Sequence, residues 1–116
     1  MASSVIKAPM AKTTLYGGET TDKAISGTIN FSDNVNNYDY LLLRLRTNAD
    51  FFEECLYEFD KKNTWYYALY DSGIGWLSSL FEFTVSADGN SATVRGASNN
   101  VDWVAGVYAV IGVKIS

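Results

Sequence analysis

The 116-residue sequence contains no histidine, one cysteine and one proline. Without an imidazole there is no Ser-His-Asp triad, no Cys-His pair and no ordinary zinc site. Cys55 has no histidine to activate it and reads as a half-buried small hydrophobe. A single cysteine also rules out an intrachain disulfide, so no oxidising compartment is required.

Basic charge is sparse too. Nine Lys and Arg against thirteen Asp and Glu leave a net charge of −4. Only Arg44 with Arg46 and Lys61 with Lys62 are close neighbours, and neither pair makes a basic patch. Such a domain repels phosphate backbones, so nucleic acid is not an expected partner. No apolar run approaches the roughly 20 residues of a membrane span, so no membrane insertion is expected. The opening MASSVIKAPMAK is interrupted by Lys7 and Pro9 and lacks the apolar stretch of a secretory signal peptide. The expectation is a protein folded in a cytosol that reaches the outside, if at all, by lysis or as part of a particle.

What is abundant is apolar and aromatic surface. Hydrophobic residues make up 47% and aromatics 15%, with eight Tyr, six Phe and three Trp. That is too apolar for disorder and suits pleated sheet. The length fits one domain, which buries roughly two-thirds of its unfolded surface. No stretch keeps the three- and four-residue spacing of a helix. Period-two alternation recurs instead. Ile25, Gly27, Ile29 and Phe31 share one face, and Phe81, Phe83 and Val85 another. Val107, Ala109, Ile111, Val113 and Ile115 form the longest row and predict a central strand facing one core. Leu41, Leu42, Leu43 and Leu45 run nearly without break, as in a strand covered on both sides.

Turn signals separate these runs at Gly17-Gly18, Ser32-Asp33-Asn34, Lys61-Lys62-Asn63, Asp71-Ser72-Gly73, Asp88-Gly89-Asn90 and Ser98-Asn99-Asn100. Asp88-Gly89 is the clearest hairpin. Phe51-Phe52-Glu53-Glu54 could hold a helical turn. The pattern predicts an all-β, antiparallel β-sandwich, jelly-roll-like, of about eight strands, with a closed small barrel as the second choice. Residues 1–11 read as a flexible or partner-bound arm, and residues 12–116 as the single sandwich domain.

Chemistry could reside in carboxylates. Glu53, Glu54, Glu58 and Asp60 cluster in sequence and Glu82 sits in a strand, so a small carboxylate glycosidase is one alternative. Solvated surface charge is the plainer account. Asp33, Asn36 and Asp39, with Asn34 and Asn37, offer oxygens to calcium, but they miss the EF-hand pattern and suit turn chemistry as well. Gly73-Ile74-Gly75 lacks the third glycine and the helix of a phosphate loop. No cofactor is expected.

The aromatic set is the most informative feature. Trp65, Tyr66, Tyr67, Tyr70, Trp76 and Trp103 exceed the needs of one small core. Adjacent strand residues point to opposite faces, so Tyr66 and Tyr67 cannot share one. Trp65, Tyr67, Tyr70, Trp76 and Trp103 are the candidate ligand-binding residues, since aromatic rings stack on the apolar faces of sugars. Leu42, Tyr66, Tyr108 and Val110 are the candidate oligomer interface.

Four short stretches carry a resemblance. Leu15-Tyr16-Gly17-Gly18 leads into Gly27-Thr28-Ile29-Asn30-Phe31, then Asn37-Tyr38-Asp39-Tyr40-Leu41-Leu42-Leu43, and the chain closes on Val110-Ile111-Gly112-Val113-Lys114-Ile115. In outline this resembles small tail-associated β-sandwich proteins of bacteriophages and prophages, of tail-fibre or receptor-binding type. The segment Phe51 to Tyr70 departs from the pattern. The resemblance implies a virion-associated structural protein, often trimeric, assembled in the bacterial host cytoplasm beside other virion proteins. It implies no catalytic residues. The leading expectation is thus a non-enzymatic homo-oligomer, a trimer by resemblance, that also binds host surface glycan. A stand-alone carbohydrate-binding module is the alternative.

Overall fold

A computed structural model describes residues 10–19, 23–47, 52–57 and 63–115. These form eight strands: β1 (Met10–Gly17), β2 (Ser26–Asn30), β3 (Tyr40–Arg46), β4 (Phe52–Tyr57), β5 (Thr64–Asp71), β6 (Gly75–Val85), β7 (Ser91–Ser98) and β8 (Gly106–Ile115). The described residues contain no α-helix, only two single turns of 3-10 helix at Val35–Asn37 and Val101–Trp103. One sheet runs β1-β8-β3-β4 and the other β2-β7-β6-β5, with every pairing antiparallel. They pack face to face as a sandwich.

The pairs β1–β8 and β2–β7 nest as in a rolled-up hairpin, one pair per sheet. The inner strands do not continue the roll. β3 pairs with β4, and β5-β6-β7 form a meander. Met10 and Ala11, assigned to the arm 1–11 by the sequence, pair with Ile115 and Lys114 in β1; residues 1–9 lie outside the described ones. Phe52–Tyr57 is strand, which removes the helical turn there; Phe51 lies outside the described residues.

The core lies between the sheets. Leu41, Leu43 and Leu45 of β3 meet Phe81 and Phe83 of β6, Val94 of β7 and Ile29 of β2. Tyr57 stacks edge-on against Phe83 at 5.3 Å between ring centroids, and Trp65 lies beside Phe81 at 6.2 Å. The alternation in β3 and β6 is the one their sequences predict.

β8 is central, between β1 and β3, yet its row does not face one core. The register slips between Arg44 and Leu45, so that Tyr108 is an extra residue against β3. Such a bulge reverses the alternation beyond it. Val107 and Val110 therefore both enter the core, opposite Leu45 and Leu43. Ala109, Ile111 and Val113 sit opposite Arg44, Leu42 and Tyr40 on the outer face. They are still buried there, flanked by the longer side chains of β1 and β3.

Candidate functional site

The second sheet turns its outer face to solvent, and most of the exposed aromatics gather on it. β5 and β6 pair Tyr66 with Leu80, Ala68 with Ser78 and Tyr70 with Trp76. The inward residues between them include Trp65 and Leu77, so the named pairs point outward. Tyr66 is 74% exposed, Tyr70 59% and Trp76 68%. β7 adds Ala97 opposite Leu80. The three segments 66–68, 78–80 and 97–99 floor an open groove of about 490 Å³. That volume is in the range of small-ligand sites.

The groove exists because of residue size. Ala68 and Ser78 are small and lie between the Tyr66–Leu80 row and the Tyr70–Trp76 pair, while Ala97, small too, extends the Tyr66–Leu80 row onto β7. Tyr66 and Tyr70 are four residues apart on one strand, or roughly 13 Å. Tyr70 and Trp76 meet edge to face at 5.3 Å, each ring limiting the other's rotation. Below them Asp71 Oδ1 accepts from the backbone N–H of Gly73 at 2.8 Å and of Ile74 at 3.0 Å, which fixes the β5–β6 turn. Gly75 completes that turn at φ 104, a conformation side-chain-bearing residues avoid.

Asn99 ties the groove to the Trp76 end. Its Oδ1 accepts from the backbone N–H of Ser78 at 3.0 Å, and its Nδ2 donates to the carbonyl of Trp76 at 2.9 Å. Ser98 Oγ donates to the carbonyl of Ser78 at 2.7 Å. None of the lining side chains is charged. The nearest charges on the face are an ion pair, Arg95 Nε to Glu82 Oε1 at 2.6 Å, one step beyond Leu80. The site can thus offer ring faces, hydroxyls and an amide to a neutral, partly apolar ligand.

Not every aromatic singled out in the sequence reaches this face. Trp65 is 5% exposed and Trp103 2%, so both belong to the interior and neither offers a ring to a ligand. Trp65 points inward by the strand's alternation, and Trp103 sits in the 3-10 turn folded against β6. Tyr67 also points inward. It approaches Cys55 of β4 across the open side of the sandwich, with 3.7 Å between hydroxyl and Sγ, while Cys55 Sγ donates to Glu53 Oε1 at 2.9 Å. Burial, and then the neighbouring Cys55 and Glu53, push the Tyr67 phenol well above its ordinary value.

Among the interface candidates, Val110 is fully buried in the core and presents nothing to a partner. The bulge that carries it inward is invisible in the alternation of the sequence. Leu42 and Tyr108 are half-buried on the outer face of the first sheet, where Tyr108 packs edge-on against Phe52 at 6.1 Å. Tyr66, placed with the interface in the sequence, borders the groove instead. The residues missed were Ala68, Ser78, Ala97 and Asn99. Only their smallness and register beside Tyr66 mark them, and register is not readable from one strand.

The carboxylates are dispersed. Glu54 pairs with Arg44 at 2.9 Å on the outer face of the first sheet, and Glu82 with Arg95 on the outer face of the second. They lie on opposite sides of the sandwich and cannot flank one glycosidic bond. Glu58 and Asp60 lie outside the described residues. The Asp33 loop is built as a turn. Asp33 accepts from Asn34 N, Asn37 Nδ2 and Tyr38 Oη, and Asp39 Oδ2 accepts from Ile115 N at 2.7 Å. Asn34 Oδ1 caps the 3-10 turn through Asn36 N at 2.8 Å. Among the described residues no three His, Cys, Asp or Glu side chains are grouped so as to hold a metal ion. No helix among them is long and apolar enough to cross a membrane.

Neither a protein-family model nor a curated protein matches the chain.

Proposed function

We propose that this chain is a non-enzymatic binding domain that takes a neutral oligosaccharide on the outer face of the β2-β7-β6-β5 sheet, and that it works as a homo-oligomer of virion-associated type. One observation carries the glycan reading: Tyr66 borders an uncharged groove on one sheet face, and Tyr70 and Trp76 stand exposed on the same face, one outward pair beyond Ala68 and Ser78. Ring faces at about 13 Å suit an extended chain of sugars, whose axial C–H groups pack on them while hydroxyls bond to Asn99 and the serines. An exposed Trp next to two exposed Tyr is a costly surface for a domain with no ligand.

A glycan array tests this reading. Neutral oligosaccharides bind the wild type, and the Tyr66→Ala, Trp76→Ala double variant loses them. Binding no stronger than background for the wild type would sink the glycan reading, while binding that survives the double variant would move the site elsewhere.

The assembly half of the reading has its own support. The outer face of the first sheet exposes Met10, Tyr40, Phe52, Leu56 and Ile115, beyond what an isolated sandwich needs. The resemblance to phage tail-associated proteins supports assembly into a homo-oligomer. The mass in solution, by light scattering over a range of concentration, tests assembly independently of any ligand.

A further inference from the structure

The sandwich has four edge strands, β1 and β4 in one sheet and β2 and β5 in the other. An edge strand presents a row of backbone N–H and C=O groups to any chain that can add to it, and proteins normally blunt such edges. Three of the four are blunted here. β1 carries Lys12 and a bulge between Thr14 and Tyr16. β2 has five residues, with Gly27 at φ 93. β4 carries Glu53 and Glu54.

β5 has none of these devices. It runs eight residues, Thr64–Asp71, with no Lys, Arg, Pro or Gly, and its one carboxylate is at its last position. Tyr66, Leu69 and Tyr70 are exposed along it, and Ala68 with them. Among the described residues it pairs with β6 alone. What fits this edge is an extended strand, because only a backbone can satisfy a row of alternating donors and acceptors.

We infer that β5 pairs antiparallel with β5 of a second copy of this chain, across a two-fold axis at Ala68, joining two four-stranded sheets into one of eight. The sequence of the strand is self-complementary in that register. The smallest side chain faces itself on the axis. Tyr66 falls opposite Tyr70 of the second copy on the outer face, and Tyr67 opposite its Leu69 on the inner face. Aromatic and apolar cross-strand pairs of this kind are the stabilising ones. The two Asp71 carboxylates end roughly 20 Å apart, so no like charges meet. An isologous contact closes after two copies and does not propagate. It also sets the two Tyr66–Tyr70–Trp76 platforms side by side on one continuous face, which doubles the surface open to one long ligand.

This inference rests on the assembly half of the proposed function and not on the glycan. Its test uses position 68, whose side chain is exposed and outside the core. Ala68→Lys puts two ammonium groups against each other at the axis, and Ala68→Cys puts two thiols there. Directly opposed residues of an antiparallel pair have Cα atoms within the span a disulfide bridges. Light scattering is expected to give a dimer for the wild type and a dissociation constant at least tenfold higher for Ala68→Lys. Mild oxidation is expected to link most of Ala68→Cys into covalent dimers, while Leu56→Cys on the opposite edge strand links far less. A trimer unmoved by Ala68→Lys would overturn the edge pairing and leave assembly standing. A monomer at every concentration, with no covalent dimer from Ala68→Cys, would overturn both.

Discussion

The ring of Tyr38 fills the space above Gly112. A Cβ at position 112 would lie 2.7 Å from Cγ and Cδ1 of that ring, closer than carbon atoms tolerate. Tyr38 is held there by its own hydroxyl, which donates to Asp33 Oδ2 at 2.9 Å. The ring thus closes the β8 end of the core, and the glycine is required for the room it leaves. Gly112→Ala is expected to lower stability by about 1–3 kcal/mol, the usual cost of overpacking. In a urea unfolding series, Tyr38→Leu in the Gly112→Ala background should recover part of that loss. If Gly112→Ala unfolds at the wild-type midpoint, the ring moves aside freely and the packing account fails.

Asn34 joins two distant parts of the chain. Its Nδ2 donates to the Asp88 carbonyl at 2.7 Å and to Asn90 Oδ1 at 3.0 Å, while its Oδ1 caps the 3-10 turn. The β6–β7 turn it holds depends on Gly89 at φ 78, whose Cβ position would be 2.6 Å from Asn34 Oδ1. Asn34→Ala removes three side-chain hydrogen bonds, one of them the cap, at a partly exposed site. A loss of about 1–2 kcal/mol is expected. Hydrogen exchange should locate it: amides of the Val35 turn and of residues 86–91 lose protection, and those of β3 do not. Uniform loss across the domain would contradict a local role.

The same corner predicts an acid response. Asp33 is held below the ordinary carboxylate range, first by Tyr38 Oη and then by Asn34 N–H; Asp88 likewise by Ser86 Oγ, at 2.6 Å, and Asn90 N–H. The folded state therefore favours both ionised forms. Their contribution is present above the ordinary carboxylate pKa of about 4 and is lost as pH falls through the lower folded values. Stability should drop on acidification below about pH 4, and Asp33→Asn with Asp88→Asn should flatten the drop. An unchanged slope in the double variant would assign the acid response to other groups.

The fold was legible where one face of a strand carries the signal. Phe81 and Phe83 alternate with Glu82 and Thr84, and both rings are in the core. Leu41, Leu43 and Leu45 face inward, and Asp88-Gly89 turns the hairpin. The failures share a cause. A bulge shifts parity by one residue without any mark in composition, so Val110 went to the core and Ala109, Ile111 and Val113 to the outer face. Pairing was also hidden. Which strand lies beside β5 determines whether Tyr66 overlooks a groove, and that depends on Ala68, Ser78 and Ala97 from three strands. Trp65 and Tyr66 are adjacent and equally aromatic, and only the phase of the strand sends one inside and the other out.

Trp76 separates binding from folding. Its ring is 68% exposed and touches Tyr70 edge-on, while its backbone carbonyl, not its side chain, accepts from Asn99 Nδ2. Truncating the ring therefore removes the proposed ligand surface and leaves the turn's hydrogen bonds in place. Trp76→Ala is expected to cost about 1 kcal/mol of glycan affinity, roughly fivefold in Kd, with a melting temperature close to wild type. Trp76→Phe keeps a ring and should retain part of the affinity. Asn99→Ala should behave differently: it frees the Ser78 N–H and the Trp76 carbonyl, so both affinity and melting temperature should fall. Calorimetric titration of the four proteins, with thermal melts alongside, reads this split. If Trp76→Ala and Asn99→Ala lose melting temperature equally, Trp76 is structural and the platform is not the binding surface.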